Sequence, residues 1–263
     1  MSTSVPPPAA DPASTDPAVA STTAPEPDAA TQAILSHVQE GKAALARGDL
    51  DGALQQFESV VERFPQRPEG HNNLGSLYAA LGRFDRAEQC FSSVLELLPD
   101  NVNVSYNRGV VRIRLQDFDG AIADLGAVLS VFPEDADCWN NLGVATFLKG
   151  DYAEARGHFQ RALELVPNYP NALLNLCDTE TAAGRPEAAI TACEEYLAQY
   201  GDTEVRRKLL ELLAESCRQL LSRACAMAEQ VLRESPEDME TRVRLGQMIQ
   251  AQENLTESAG STS

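Results

Sequence analysis

The sequence predicts an all-α protein, built as a solenoid of stacked antiparallel helix pairs. Hydrophobic residues make up 43% of the chain but aromatic residues only 6%, and this composition is typical of helices that pack through small side chains. The second observation is a repeat, because the pairs Phe64-Pro65, Leu98-Pro99, Phe132-Pro133 and Val166-Pro167 recur at one constant interval. A fixed period of about 34 residues indicates a repeat architecture.

Two columns of small residues keep the same period. They are Gly41, Gly75, Gly109 and Gly143, and Ala53, Ala87, Ala121, Ala155 and Ala189. A small residue is needed wherever two helices cross closely, since a larger side chain would hold their axes apart. The two columns therefore predict one close crossing in every unit.

Each unit is predicted to be a helix, a turn and a second helix. In the second unit the apolar residues from Leu74 to Leu81 recur at helical spacing, Gly82-Arg83 interrupts them, and a second stripe runs from Ala87 to Leu95. A single helical hairpin of this size cannot bury both of its faces alone. Successive units must therefore stack on one another.

The elements follow one another in a fixed order. We predict a disordered leader at 1–30, a solenoid at 31–236 with units at 34–67, 68–101, 102–135, 136–169, 170–203 and 205–238, a capping helix at 239–252 and a disordered tail at 253–263. The leader is rich in Pro, Ala, Ser and Thr and has too little apolar surface to fold. The sixth unit is degenerate, because Leu212 replaces the small first-helix residue and no Gly-Asp pair marks a turn near Gln219. The capping helix is expected to cover the end of the core with a polar face.

Composition excludes several classes of partner and location. The chain has 39 acidic and 21 basic residues, a net charge of −18, which predicts no nucleic-acid and no membrane partner. Its first residues contain neither a secretory signal nor a cysteine for a lipid, so we expect a cytoplasmic protein. The six cysteines form no CxxC pair and are expected to be reduced and mostly buried.

No catalytic arrangement is evident in the sequence. The three histidines, His37, His71 and His158, lack the spacing of metal ligands or of a nucleophile with its base. Neither a phosphate-binding loop nor a dinucleotide-binding fingerprint occurs. We therefore predict that the protein is not an enzyme and has no cofactor and no metal.

The fourth unit carries the residues of a known signature. Trp139, Leu142, Gly143, Ala155, Phe159 and Pro167 follow the pattern W-x2-L-G…A-x3-F…P. The chain resembles the tetratricopeptide repeat family over residues 34–236, with five units in strict register and a degenerate sixth. The resemblance implies a right-handed α-solenoid of about six units with a C-terminal capping helix, whose first helices line a concave groove for a partner protein.

An asparagine recurs once per unit in the predicted groove. Asn73, Asn107, Asn141 and Asn175 are each one repeat period apart, and a side-chain amide can pair with both the C=O and the N–H of a peptide bond. This column resembles the asparagine ladder of O-linked N-acetylglucosamine transferases, whose catalytic domain is missing here. The alternative is that these asparagines only bond neighbouring helices.

Other first-helix residues complete the predicted partner-binding groove. They are Asn72, Tyr106, Asn140, Val110, Arg114, Val144 and Phe147. The apolar members would form a floor for a partner's side chains, or would merely complete the core. Arg108 and Arg112 stand where the family has Leu and Tyr, and they would either form a salt bridge to an adjacent unit or capture a partner's carboxylate or phosphate.

The clamp with which co-chaperones of this family hold a C-terminal carboxylate is matched only in part. The clamp has Lys and Asn in one unit, Asn in the next, and Lys with Arg in the third. This chain has Val38 and Lys42, then Asn73, then Asn103 and Asn107, so the basic pair of the third unit is missing. That specialised role is therefore disfavoured.

These observations predict a cytosolic adaptor or scaffold, which binds an extended or helical segment of another protein in its groove. A chaperone-like holder of secretion or pilus-assembly substrates is one alternative, and a regulatory subunit of an enzyme complex is another. The first unit has no obvious capping helix before Ile34, so homodimers joined end to end are also expected.

Overall fold

The computed structural model describes residues 28–260, with side chains as far as residue 254. The predicted leader lies outside the described residues up to position 27, and its last two residues, Ala29 and Ala30, already belong to the first helix. Within residues 28–260 there are twelve helices and no strand. The protein is therefore all-α, as predicted.

Five consecutive helix pairs make up the solenoid. They are α1 (Ala29–Ala46) with α2 (Leu50–Arg63), α3 (Pro68–Ala80) with α4 (Phe84–Leu97), α5 (Val102–Arg114) with α6 (Phe118–Val131), α7 (Ala136–Lys149) with α8 (Tyr152–Leu165), and α9 (Pro170–Ala182) with α10 (Pro186–Gln199). Two longer helices follow, α11 (Thr203–Glu234) and α12 (Met239–Gly260). Each helix packs against the next one along the chain.

The turn inside each pair depends on one left-handed residue. Gly48, Gly82, Gly150 and Gly184 have positive φ angles, a conformation that is easy for Gly because it has no Cβ. At the same position of the third unit Gln116 adopts φ 63°. In two of these turns the side chain of the next residue caps the second helix. Asp49 and Asp117 accept hydrogen bonds from the amides of Gly52 and Gly120.

The sixth unit is not a helix pair, which corrects the predicted unit at 205–238. Instead α11 runs unbroken for 32 residues. The position of the left-handed residue is occupied by Arg218, whose Nε and Nη2 atoms lie 3.0 and 2.6 Å from Oε2 of Glu215, one turn earlier in the helix. No residue in this part of α11 adopts the left-handed conformation that reverses the chain in the other units, so the helical backbone continues.

The capping helix also differs from the prediction. We expected it to end at 252 and the tail to be disordered from 253, but α12 continues to Gly260. No Pro or Gly interrupts residues 253–259, so helical propensity carries the helix on. The outer surface is not fully polar either, because Met239, Val243 and Ile249 are exposed.

A close crossing joins the two helices of each unit, as the Gly column predicts. A Cβ on Gly143 would lie 2.6 Å from Cε1 of Phe159 in the second helix. In the fifth unit both positions of this crossing hold cysteines, and the Sγ atoms of Cys177 and Cys193 are 3.3 Å apart. In the fifth unit two cysteines of medium size therefore replace the small Gly and the large Phe of the fourth unit.

The first helices form the inner wall of the solenoid. Each of α1, α3, α5, α7, α9 and α11 contacts the next member of this series, whereas no two of the second helices from α2 to α10 contact each other. Such an arrangement curves the stack toward the first helices and makes their exposed face concave. In the described part of the chain no helix combines the length and apolarity needed to span a bilayer. The cytoplasmic location stays a prediction.

Candidate partner-binding groove

The groove wall consists of the exposed faces of α3, α5, α7 and α9. The repeated asparagines lie along it, one in each helix, and all four are half-buried. This partial burial arises because each side chain lies at the boundary between its own unit and the preceding one. An amide at such a boundary can bond to the neighbouring unit or to a ligand.

Two of the four asparagines bond to the preceding unit. Asn141 Nδ2 donates to the hydroxyl of Tyr106 at 2.8 Å, and Asn175 Nδ2 donates to Oδ1 of Asn140 at 2.9 Å. Tyr106 and Asn140 occupy the same position in successive units. In this structure Asn141 and Asn175 therefore bond neighbouring helices, which is the arrangement of the structural alternative.

Asn73 and Asn107 differ from that pattern. The residue in the corresponding position before Asn73 is Val38, whose side chain has no acceptor, and Asn73 Nδ2 instead donates to the backbone oxygen of Glu69 at 2.6 Å. The corresponding residue before Asn107 is Asn72. Among residues 28–254 the side chain of Asn107 forms no hydrogen bond, so both its donors and its acceptor are available.

A cleft of about 450 Å³ lies beside Asn107, between α5 and the start of α7. Asn103 and Tyr106 line it from α5, and Asp137 lines it from α7. Asp137 accepts a hydrogen bond from the hydroxyl of Tyr169 at 2.5 Å. The cleft is therefore lined by the free side-chain amides of Asn103 and Asn107 and by the carboxylate of Asp137.

The tyrosines around this cleft stay protonated. Burial raises the pKa of Tyr106, and burial together with the neighbouring Asp137 raises the pKa of Tyr169. Tyr169 was not among the predicted groove residues. No periodicity could have revealed it, because the equivalent positions in earlier units hold Asp135, Asn101 and Arg67.

The residues of the predicted apolar floor are each partly buried in the core and partly exposed to the groove. Val144 and Phe147 pack against a buried cluster that includes Phe159 and Leu176, yet both remain partly exposed, as does Val110. Leu148 lies next to Phe147 and is exposed to solvent. These residues complete the core with one edge and present the other edge to the groove.

Two charged groups of the groove wall contact partners within the chain. The Arg114 guanidinium lies over the ring of Phe84, with Cζ 5.4 Å from its centroid, and Asp178 pairs with Lys208 of α11. Burial disfavours the charged form of Lys208, but the hydrogen bond to Asp178 and the negative charges of Asp178 and Glu211 together outweigh this effect and raise the pKa of the lysine. No field of one sign dominates the wall.

Arg112 forms the predicted salt bridge to an adjacent unit, whereas the salt bridge of Arg108 stays within its own unit. Nη2 of Arg108 lies 2.7 Å from Oδ1 of Asp124, and Nη1 of Arg112 lies 2.9 Å from Oδ2 of the same carboxylate. Arg112 Nη2 also reaches Glu88 of the second unit at 2.9 Å. Both guanidinium groups are engaged within the solenoid rather than offered to a partner.

The histidines have packing roles in this structure. His71 Nε2 donates to the backbone oxygen of Pro65 at 3.0 Å, and Trp139 Nε1 makes the same bond to Pro133 two units later. His158 stacks on Trp139, with ring centroids 5.5 Å apart, and burial lowers its pKa. In the part of the chain with described side chains, no three His, Cys, Asp or Glu residues are grouped so that they could hold a metal ion.

Comparison with protein-family models finds two descriptions of the tetratricopeptide repeat. One matches residues 38–102 and again 106–170, and the other matches residues 146–213. Together these matches cover more than half of the chain. A comparison with curated proteins finds no match.

Solved structures with a similar fold include several of MamA. A crystal structure of MamA is 18% identical and covers 65% of this chain and 97% of its own, with a TM-score of 0.60. The MamA fragment "41-end" from Desulfovibrio magneticus RS-1 is 23% identical and covers 67% of this chain and 96% of its own, with a TM-score of 0.61. At these identities the likeness establishes a shared solenoid fold.

Proposed function

Because this chain belongs to the tetratricopeptide repeat family, we propose that it is a non-enzymatic adaptor that holds an extended segment of a partner protein along its groove wall. Interaction with other proteins is the general use of this repeat. The proposal adds where the segment lies and which groups hold it.

The observation that carries the proposal is the free amide of Asn107. It is half-buried beside a cleft, while the equivalent amides of Asn141 and Asn175 are engaged. Neither polar atom of this side chain is fully enclosed, so both are open to a ligand, and a peptide backbone supplies the donor and the acceptor that pair with them. Asn107 is therefore the asparagine of the column that is best placed to form hydrogen bonds with a partner's main chain.

The surface next to Asn107 suits apolar side chains of the same segment. Val110 lies one turn further along α5, and Val144, Phe147 and Leu148 follow on α7. An extended peptide places alternate side chains on one face. Its backbone would bond to Asn107, and its apolar residues would cover these four side chains.

The nature of the partner follows from the charges. The wall has no dominant sign, and Arg108 and Arg112 are already paired. We therefore propose a partner segment with mixed charge and apolar anchors, and not one that depends on a terminal carboxylate or a phosphate.

Affinity capture with a matched variant tests this function. Wild-type protein and N107A are used as baits in the same extract, and the bound proteins are quantified by mass spectrometry. An adaptor retains one stoichiometric partner, and N107A loses it. Capture of many unfolded clients, equally by both baits, would refute the adaptor and favour a chaperone-like holder.

A further inference from the structure

The outer face of α11 carries an apolar stripe that nothing in the described structure covers. Its members alternate at spacings of three and four positions over three heptads. They are Leu210, Leu213, Cys217, Leu220, Ala224, Met227 and Val231. This spacing is the a and d pattern with which one helix packs along another.

The stripe is clearly exposed. Leu210, Leu220 and Met227 are 68%, 64% and 69% exposed, although large apolar residues of a solvated helix are normally turned inward. The adjoining face of α11 already packs within the chain, with Cys225 and Ala228 buried where α12 contacts it. The outer stripe is therefore additional to the contacts that the fold requires.

The residues at the start of the chain do not have the composition of a helix that could pack on this stripe. Residues 1–27 contain seven prolines and only three apolar residues larger than Ala or Pro, namely Met1, Val5 and Val19. A stripe of seven positions needs an equally long apolar helix opposite it. The described helix that meets this requirement is α11 itself.

Charge also favours a second copy at this face. The whole chain carries −18, so two copies repel each other at most orientations. Helix α11 has five acidic and six basic residues. It is thus a nearly neutral region at which two highly acidic molecules can approach.

The pattern around Leu220 indicates the orientation. Arg206 lies two heptads before Leu220 and Glu234 lies two heptads after it, and both continue the stripe at its two ends. Neither forms an ion pair among the described residues. In an antiparallel pair centred on Leu220, each Arg206 faces Glu234 of the second copy, and Leu213 faces Met227.

We propose that two copies of this chain form a homodimer through the outer stripe of α11, with the helices antiparallel and Leu220 on the two-fold axis. The two-fold arrangement makes one stripe complementary to itself, as closed dimers require. The groove wall belongs to other helices, so this inference does not depend on the proposed adaptor function.

Disulfide trapping tests the axis directly. In a C217S background, L220C is expected to form an intermolecular disulfide under mild oxidation at low micromolar concentration. L210C in the same background is the matched control, because Leu210 is equally exposed but its two copies would lie about 30 Å apart along the helices. Equal trapping of both variants, or of neither, would overturn the proposed arrangement.

Sedimentation equilibrium supplies a second and independent measurement. The wild type is expected to have twice the chain mass of 28.4 kDa, and L220E at least a 10-fold higher dissociation constant, with circular dichroism confirming that this exposed substitution leaves the helices intact. R206E and E234R should each weaken the dimer, and the double variant should restore it. A wild-type monomer at 100 μM, or single reversals without effect, would refute the proposal.

Discussion

Arg112 of α5 and Glu88 of α4 form an ion pair between the third and second units, with Nη2 2.9 Å from Oε1. Two units later the same repeat positions hold Glu180 of α9 and Arg156 of α8, an ion pair with the charges reversed and 2.7 Å between Oε1 and Nε. Successive units otherwise have similar cores. These two opposite pairs therefore help to specify which unit stacks on which, because a shifted stack would oppose like charges.

The carboxylate of Asp124 is predicted to be the most sensitive member of this network. It accepts hydrogen bonds from Arg108 and Arg112 and its side chain is only 8% exposed. D124N should lower the free energy of unfolding by about 2–3 kcal/mol, because two guanidinium groups lose their shared counter-ion.

Urea unfolding followed by circular dichroism measures this effect. D119N is the matched control in the same helix, since Asp119 pairs with Lys149 but is 83% exposed. We expect the midpoint of D119N to equal that of the wild type. Similar midpoints for D124N and D119N would contradict the role assigned to Asp124.

The repeat period was sufficient to predict the solenoid and the five regular units. It could not predict which partner a residue selects. Arg112 visibly needed an acid, but only the packing of α4 on α5 shows that Glu88 supplies one. Likewise Asn107 and Asn141 are equivalent in sequence, yet one amide is free and the other bonded. The type of the neighbouring residue does not decide this, because Asn140 accepts a bond from Asn175 but the equivalent Asn72 accepts none from Asn107. The long helix α11 was missed although no Gly-Asp pair marks a turn near Gln219, because a missing Gly does not by itself exclude a turn: Gln116 makes one in the third unit.

The glycines at the helix crossings are predicted to be irreplaceable even by Ala. In G143A the new Cβ would lie 2.6 Å from Phe159. The resulting displacement should destabilise the protein by about 1–3 kcal/mol, which outweighs the gain in helix propensity of about 1 kcal/mol.

The control for this prediction is G157A in the neighbouring helix. A Cβ on Gly157 meets no atom within 4 Å, so only the propensity gain remains and the protein should become more stable by about 0.5–1 kcal/mol. Both variants are compared by their urea midpoints. If G143A is more stable than the wild type, the crossing accommodates a Cβ and the prediction is wrong.

The free amide of Asn107 is predicted to matter more for binding than the engaged amide of Asn141. N107A should weaken affinity for the captured partner about 10-fold, the effect of losing one or two hydrogen bonds. S130A on the second helix α6 should leave the affinity unchanged. Titration calorimetry with the purified partner provides the constants, and equal affinities for N107A and wild type would rule out the proposed contact.

The thiols are predicted to differ sharply in reactivity. Burial raises the pKa of Cys90 to about 11 and that of Cys138 to about 12, so at pH 8 both are almost entirely in the unreactive thiol form. Cys177 and Cys193 are fully buried, whereas Cys217 is exposed. Cys225 is buried as well. A chromogenic disulfide reagent should therefore titrate one fast thiol per chain in a solution dilute enough to dissociate the proposed dimer, and C217S should abolish this phase. A fast phase that survives in C217S would contradict the prediction.

A single substitution in the turn of the third unit is predicted to stabilise the protein. Gln116 has φ 63° where the other four regular units have Gly, and the left-handed conformation disfavours a residue with a Cβ. Q116G should therefore raise the free energy of unfolding by about 0.5–1 kcal/mol, part of the gain being offset because Gly makes the unfolded chain more flexible. The matched control is Q89G inside α4, where Gln89 is exposed and helical. The same change of residue should there destabilise the protein by about 1 kcal/mol. If the urea midpoint rises in Q116G and falls in Q89G, the effect at position 116 comes from the backbone conformation and not from the loss of a glutamine side chain. If both midpoints fall, the predicted stabilisation by Q116G is wrong.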